Sequence, residues 1–351
     1  MVTLRDKFFG CIAGSHIASS MGAVVEGMTY CEIEKKFGFV ESLYPYEHYW
    51  NGWMRDAGTT EDGIERQKLM ITAIGEKKDR VTAEDIRAIW LRDIKDGVGG
   101  RVSEPFEEVL LAMARTGIPA TDLGRYCDYA GLNSFSRACH PIGLINAGDI
   151  AGAMQDVMEA GQLYQTANSR GLKWACVTGV AIAEATKKDA TVESVLNAIF
   201  TNCDKEIVVK EIQQQIEYTK DCTTIQELRE RFDSVYNGIG MPYPFSYANE
   251  VVTKAVCIFK MVQGNTKDAI LAGVNMGRDT DCVAAVAAGI SGALTGGSSI
   301  PEEWVQQVDV ATAKNPYTNT TRSIDANVDL LYTAYMARLN NMENYVKAMK
   351  P

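Results

Sequence analysis

What this chain has little of narrows it first. It carries 9 prolines in 351 residues, no Gly/Ser-rich linker, no internal repeat and no convincing period-2 strand. A strand-built core and a repeat architecture are therefore not expected. No run of Lys or Arg offers a face to a polyanion. The formal net charge of -10 and pI of about 5.0 argue further against nonspecific nucleic-acid binding. The 9 cysteines are odd in number and none stands in a Cys-x-x-Cys pair, so neither a disulfide framework nor a structural zinc site is supported. Cys11, Cys139, Cys176 and Cys257 read instead as small buried residues in a reducing compartment. No apolar stretch runs unbroken for the ~20 residues a bilayer crossing needs. Phe8 to Val25 superficially resembles a signal peptide, but Asp6 offsets its basic flank and His16 and three serines interrupt it. The expectation is a cytoplasmic protein with no membrane partner.

What is present is a core. Apolar residues make up 46% of the chain and charged residues 23%, the balance of a compact protein with ample length to bury its interior. Helical periodicity recurs from end to end, over residues 4–21, 63–74, 82–94, 105–115, 147–166, 172–186, 192–200, 224–232, 247–261, 268–273, 301–308 and 325–349. Thr82-x-x-Asp85 and Thr224-x-x-Glu227 open two of these as capping boxes, and Pro301 is expected at the first helical position of another. The fold expected is all-α, a single domain over residues 1–351, with Gly and Ala packing helices closely around a buried central pair.

The most informative stretch is Gly277-Arg278-Asp279-Thr280-Asp281-Cys282, followed by a run from Val283 to Leu294 containing only Ala, Val, Ile, Gly, Ser and Leu. Such a run reads as a helix buried on nearly every side, and charges at its mouth are costly unless paired. Asp-x-Asp there can offer oxygen ligands to a hard divalent cation; the plainer possibility is N-capping, with Asp281 accepting backbone N–H bonds. A second acidic cluster, Thr60-Glu61-Asp62, stands at another helix start, where a Thr cap with acids in the first turn is also ordinary. Glu26, after apolar Met21 to Val25, is a solvated loop residue or a third member of the group. Tyr44, Tyr46, His48, Tyr49, Trp50 and Trp53 show no period and read as a loop, folded onto the core or walling a pocket for a flat ligand. The loop Leu132 to Gly143, with Asn133, Ser134, Arg137 and His140, is a structured turn before Pro141 or a binder of a hydroxylated or phosphorylated ligand.

Taken together, these residues resemble the ADP-ribosylglycohydrolase family. Gly22-x-x-x-Glu26-Gly27 is similar to the family's opening. Gly58-Thr59-Thr60-Glu61-Asp62 stands where the family carries Thr-Asp-Asp, and Pro141-Ile142-Gly143-Leu144 matches its central motif. Asn275 to Asp281 with its Ala-rich helix, then Ile300-Pro301-Glu302-Glu303-Trp304, matches its last block. The resemblance spans roughly residues 4–310. It implies an all-α fold with a cleft holding two Mg²⁺ or Mn²⁺ ions on Thr60, Glu61, Asp62, Asp279 and Asp281. It further implies Glu26 or Asp62 as general acid/base, and hydrolysis of a glycosidic bond to an ADP-ribosyl or related ribosyl group. Oxygen ligands suit such hard ions, and a carboxylate can assist the oxocarbenium-like cleavage. Asn133, Ser134, Trp50 and Trp53 are the candidate substrate contacts. The expected partners are a small ribosyl or ADP-ribosyl substrate or an ADP-ribosylated protein, with no nucleic acid. A smaller nucleoside substrate, a metal-free glycosidase built on Glu26 and Asp62, and a catalytically silent member with a binding or structural role remain alternatives.

Overall fold

The computed structural model describes residues 2–47, 54–95, 105–127, 130–239, 245–315 and 317–350, with backbone alone at 105–107. The helices in chain order are α1 (Leu4–Gly22), α2 (Tyr30–Phe37), α3 (Asp62–Lys77), α4 (Ala83–Asp93), α5 (Pro105–Ala114), α6 (His140–Ile145), α7 (Ile150–Ala160) and α8 (Arg170–Ala185). They continue as α9 (Val192–Asn202), α10 (Lys210–Tyr218), α11 (Ile225–Val235), α12 (Ala248–Met261), α13 (Thr266–Val274), α14 (Thr280–Thr295), α15 (Glu302–Thr312) and α16 (Ile324–Met349). The fold is all-α. Among the described residues, strand structure amounts to a short antiparallel ladder, Tyr46–Glu47 against Met54–Arg55, and two isolated bridges.

The centre is an antiparallel pair, α1 on α14, and small residues set its spacing. A Cβ on Gly10 would stand 2.6 Å from the Gly292 carbonyl oxygen, and one on Gly22 would stand 2.6 Å from Asp281 Cα. The two backbones therefore run almost in contact, which only residues without side chains allow. Helices α12, α13 and α8 pack around α14, while α3 and α16 close the side of α1. By length and composition Leu4–Val25 could cross a bilayer, a property that the interruptions at His16 and the serines do not remove. Yet it is buried along nearly its whole length inside the protein and serves as a core helix.

Several boundaries differ from expectation for local reasons. The stretch 147–166 is not one helix: Asp149 caps α7, which ends at Ala160 and gives way to a 3₁₀ turn. The end of the 132–143 loop is helical from His140, with Pro141 in the first turn. Pro301 is the N-cap of α15 rather than its first residue. Helix α2, missed in the periodicity, is announced by the capping box Thr29/Glu32. Trp50 and Trp53 of the aromatic loop lie outside the described residues.

Candidate active site

Two tight turns bring the acidic residues together. Gly277 and Arg278 both adopt left-handed backbone, φ +79° and +68°, and so swing Asp279 into the start of α14. For arginine that conformation costs energy, and Glu250 offsets it with a two-point grip on the guanidinium at 2.6 and 2.8 Å. The same turn is tied to the Glu26 turn: Arg278 N–H donates to the Met28 carbonyl at 2.7 Å and Gly27 N–H to the Arg278 carbonyl at 2.8 Å. Thr280 Oγ1 donates to the Gly22 carbonyl at 2.8 Å. The end of α1 and the start of α14 thereby place Glu26 beside Asp279 and Asp281.

N-capping does not explain these aspartates. Asp279 occupies the N-cap of α14, yet its side chain accepts no backbone N–H there. Its Oδ2 takes a hydrogen bond from Asn133 Nδ2 at 2.9 Å, and its Oδ1 has no partner. Asp281 is alike: Oδ2 faces Arg137 Nη1 at 3.5 Å and Oδ1 has no partner. Both residues are 1% exposed. Burial first, then the carboxylates of Glu26 and Asp279, push the Asp281 carboxyl well above its ordinary range. One potential ligand atom from each of Asp279, Asp281 and Cys282 lies within 4.8 Å of the others. Cys282 is a buried thiol whose pKa is pushed well up, chiefly by burial and against the opposing effect of Arg137, which favours the neutral thiol over the thiolate.

Across from this pair lies the start of α3. Asp62 Oδ2 accepts from Arg137 Nη2 at 2.7 Å and from Arg66 Nη2 at 3.0 Å, and its Oδ1 accepts from Gly63 N–H at 2.8 Å. Glu61 Oε1 accepts from the Tyr46 hydroxyl and lies 3.4 Å from Arg55 Nε. Thr60 Oγ1 turns the other way. It donates to Glu65 Oε1 at 2.7 Å and accepts from the buried Lys68 ammonium at 2.8 Å. The expected residues Thr60, Glu61, Asp62, Asp279 and Asp281 are thus all buried, but of these only Asp279 and Asp281 keep a buried oxygen without a hydrogen-bond partner. Asn133 holds Asp279, and the Ser134 carbonyl accepts from Arg66 Nη1 at 3.2 Å.

Composition and motif did not single out the cations. Arg66 was readable in principle, lying four residues beyond Asp62 on one helix face. Arg55 had no local signal, because the short ladder that carries it brings Tyr46 and Glu61 together only in the fold. Arg137 lay within the loop marked for ligand binding, and its role is to join α3 to α14.

Comparison with known proteins agrees with this architecture. The ADP-ribosylglycohydrolase family model matches residues 1–338, and the chain belongs to that family, which implies a glycosyl hydrolase. Among solved structures, a chain of an ADP-ribosylglycohydrolase-related protein complex aligns with a TM-score of 0.67 at 16% identity, covering 96% of this chain and 100% of that one. At that identity the likeness speaks for the fold. No curated protein matches.

The family is generally metal-dependent, and the donor set fits a divalent ion on one side. Two buried carboxylate oxygens without partners are what such an ion would satisfy. On the Thr60–Glu61–Asp62 side the oxygens already face ammonium or guanidinium groups. At an effective dielectric of 20, a divalent ion about 4 Å from one guanidinium is opposed by roughly 8 kcal/mol.

Proposed function

We propose that this protein hydrolyses the glycosidic bond joining C1″ of a ribose, in an ADP-ribosyl or related ribosyl group, to its aglycone. The observation that supports this most strongly is the Asp279–Asp281 pair, buried beside Glu26, in which the Asp279 side chain makes no capping hydrogen bond and each aspartate has an unpartnered oxygen. Asp279 and Asp281 would hold Mg²⁺ or Mn²⁺, which would supply an anchor for vicinal ribose hydroxyls and a means of activating water. Glu26 supplies the proton transfer: as an acid it gives a proton to the departing aglycone, and as a base it takes one from the attacking water. Asp62, held by two guanidiniums, contributes negative charge toward the developing oxocarbenium ion rather than a mobile proton. Asn133 fixes Asp279 and, with Ser134, borders the place where substrate enters; Trp50 and Trp53 are the proposed stacking residues. The proposed partners are a small ribosyl compound or an ADP-ribosylated protein in the cytoplasm, with neither nucleic acid nor membrane involved.

The test is release of free ADP-ribose from ADP-ribosyl-arginine and ADP-ribosyl-serine peptides, with nucleosides in parallel, before and after EDTA. Asp281→Asn should lower turnover by roughly 100-fold or more, the scale of losing a group that stabilises transition-state charge. Turnover untouched by both EDTA and Asp281→Asn would sink the metal-dependent reading in favour of a metal-free glycosidase. The second reading, a binding role without turnover, draws on the cations that already cover Glu61 and Asp62. It predicts metal and ADP-ribose binding with no hydrolysis of any riboside.

A further inference from the structure

We infer that Arg137 occupies the place of a second cation, so that this centre takes one divalent ion, on Asp279 and Asp281, rather than two. The inference rests on the reading of that aspartate pair as a metal site. Every oxygen of Asp62 already has a donor: two guanidiniums on Oδ2 and a backbone N–H on Oδ1. The Thr60 hydroxyl is spent on Glu65 and Lys68. Arg137 spans the gap between the clusters, with Nη2 on Asp62 at 2.7 Å and Nη1 facing Asp281 Oδ2 at 3.5 Å and Cys282 Sγ at 3.2 Å. A planar fork with five donors meets carboxylates on two sides, the bridging task a metal ion would otherwise perform.

The guanidinium's place is built. Gly63 has no side chain in its path, and a Cβ there would stand 2.7 Å from Arg137 Cδ. The Arg137 carbonyl accepts from Gln67 Nε2 at 2.7 Å, and Arg66 grips the same loop at the Ser134 carbonyl. Helix α3 thus fixes both the loop that supplies Arg137 and the carboxylate that receives it. By contrast, Asp279 Oδ1 and Asp281 Oδ1 stay without partners although both side chains are buried. One side of the centre is complete without metal and the other is not.

The experiment is a count. The full-length protein, stripped with chelator and dialysed, is titrated with Mn²⁺ while free Mn²⁺ is followed by its electron paramagnetic resonance signal. The wild type should bind one ion per chain, and Asp281→Asn should lose it. Arg137→Met, with its fold checked by circular dichroism, should admit a second ion. Two ions in the wild type overturn the inference and leave the metal site standing. No ion in the wild type overturns the metal reading itself. A folded Arg137→Met that still binds only one ion removes Arg137 as the cause. Should that variant fail to fold, the wild-type count decides alone.

Discussion

His140, fully buried beneath the site, shows how one residue ties stability to pH. Its Nδ1 lies 3.1 Å from Gln67 Nε2 and its Nε2 lies 3.1 Å from the Ala285 carbonyl. The carbonyl needs a donor, so Nε2 carries the proton and Nδ1 accepts from Gln67. Burial lowers its pKa from 6.5 to about 4 against the partial support of its backbone partners. The sign follows directly. The unfolded chain takes up a proton below pH 6.5 while the folded chain does not until about pH 4, so this contribution is intact above 6.5 and is lost as pH falls between those values. His140 alone accounts for about 3 kcal/mol of that loss. His16, pushed in the same direction by burial, adds to it. Urea unfolding at pH 7 and pH 5 should show about 2 kcal/mol of the His140 loss, and His140→Gln should shrink the difference by that amount, leaving the part due to His16. An unchanged pH slope in the variant would show that other groups carry it.

At the scale of elements, the contact of α1 with α14 governs both packing and site geometry, and the two effects can be separated along its length. Alanine in place of glycine favours a helix by up to about 1 kcal/mol, but overpacking a close contact costs typically 1–3 kcal/mol. The second effect wins where the added Cβ meets backbone. Gly292→Ala would drive a methyl into Gly10 at the end of α14 far from the acids, and should lower stability while leaving Mn²⁺ affinity intact. Gly22→Ala would press on Asp281 Cα and should lower both. Denaturant midpoints and metal titrations on the two variants distinguish these outcomes. Equal metal affinity in both would mean that Asp281 is positioned by the Gly277–Arg278 turn and not by α1.

For the molecule as a whole, the family match and the packing end together. The match stops at residue 338. Arg338 is the last residue of α16 to reach the body, donating to the Ile145 carbonyl at 2.6 Å and to Asp149 at 3.0 Å, while residues 339–350 are exposed throughout. Truncation after Arg338 should therefore change unfolding free energy by no more than about 0.5 kcal/mol, as for surface changes away from special features. A thermal melt of the truncated chain checks this, and a large drop would place a structural contact on the exposed tail.

The sequence by itself determined the all-α fold, the buried α14 behind Asp279 and Asp281, and the order of motifs that marks the family. Each of these is written in local periodicity, in capping residues or in short contiguous words. It also brought Thr60, Glu61 and Asp62 forward as acids that could meet the others. Only the tertiary structure decided what they meet. Asp62 is 75 residues from Arg137, and Arg55 faces Glu61 from a ladder that pairs it with Tyr46, whose hydroxyl donates to the same carboxylate; neither arrangement is written in the spacing of the acids. Whether a buried carboxylate faces a guanidinium or keeps an oxygen open for a metal depends on which side chain the fold delivers within 3 Å. That is settled by packing between distant helices and not by the spacing of acids along the chain.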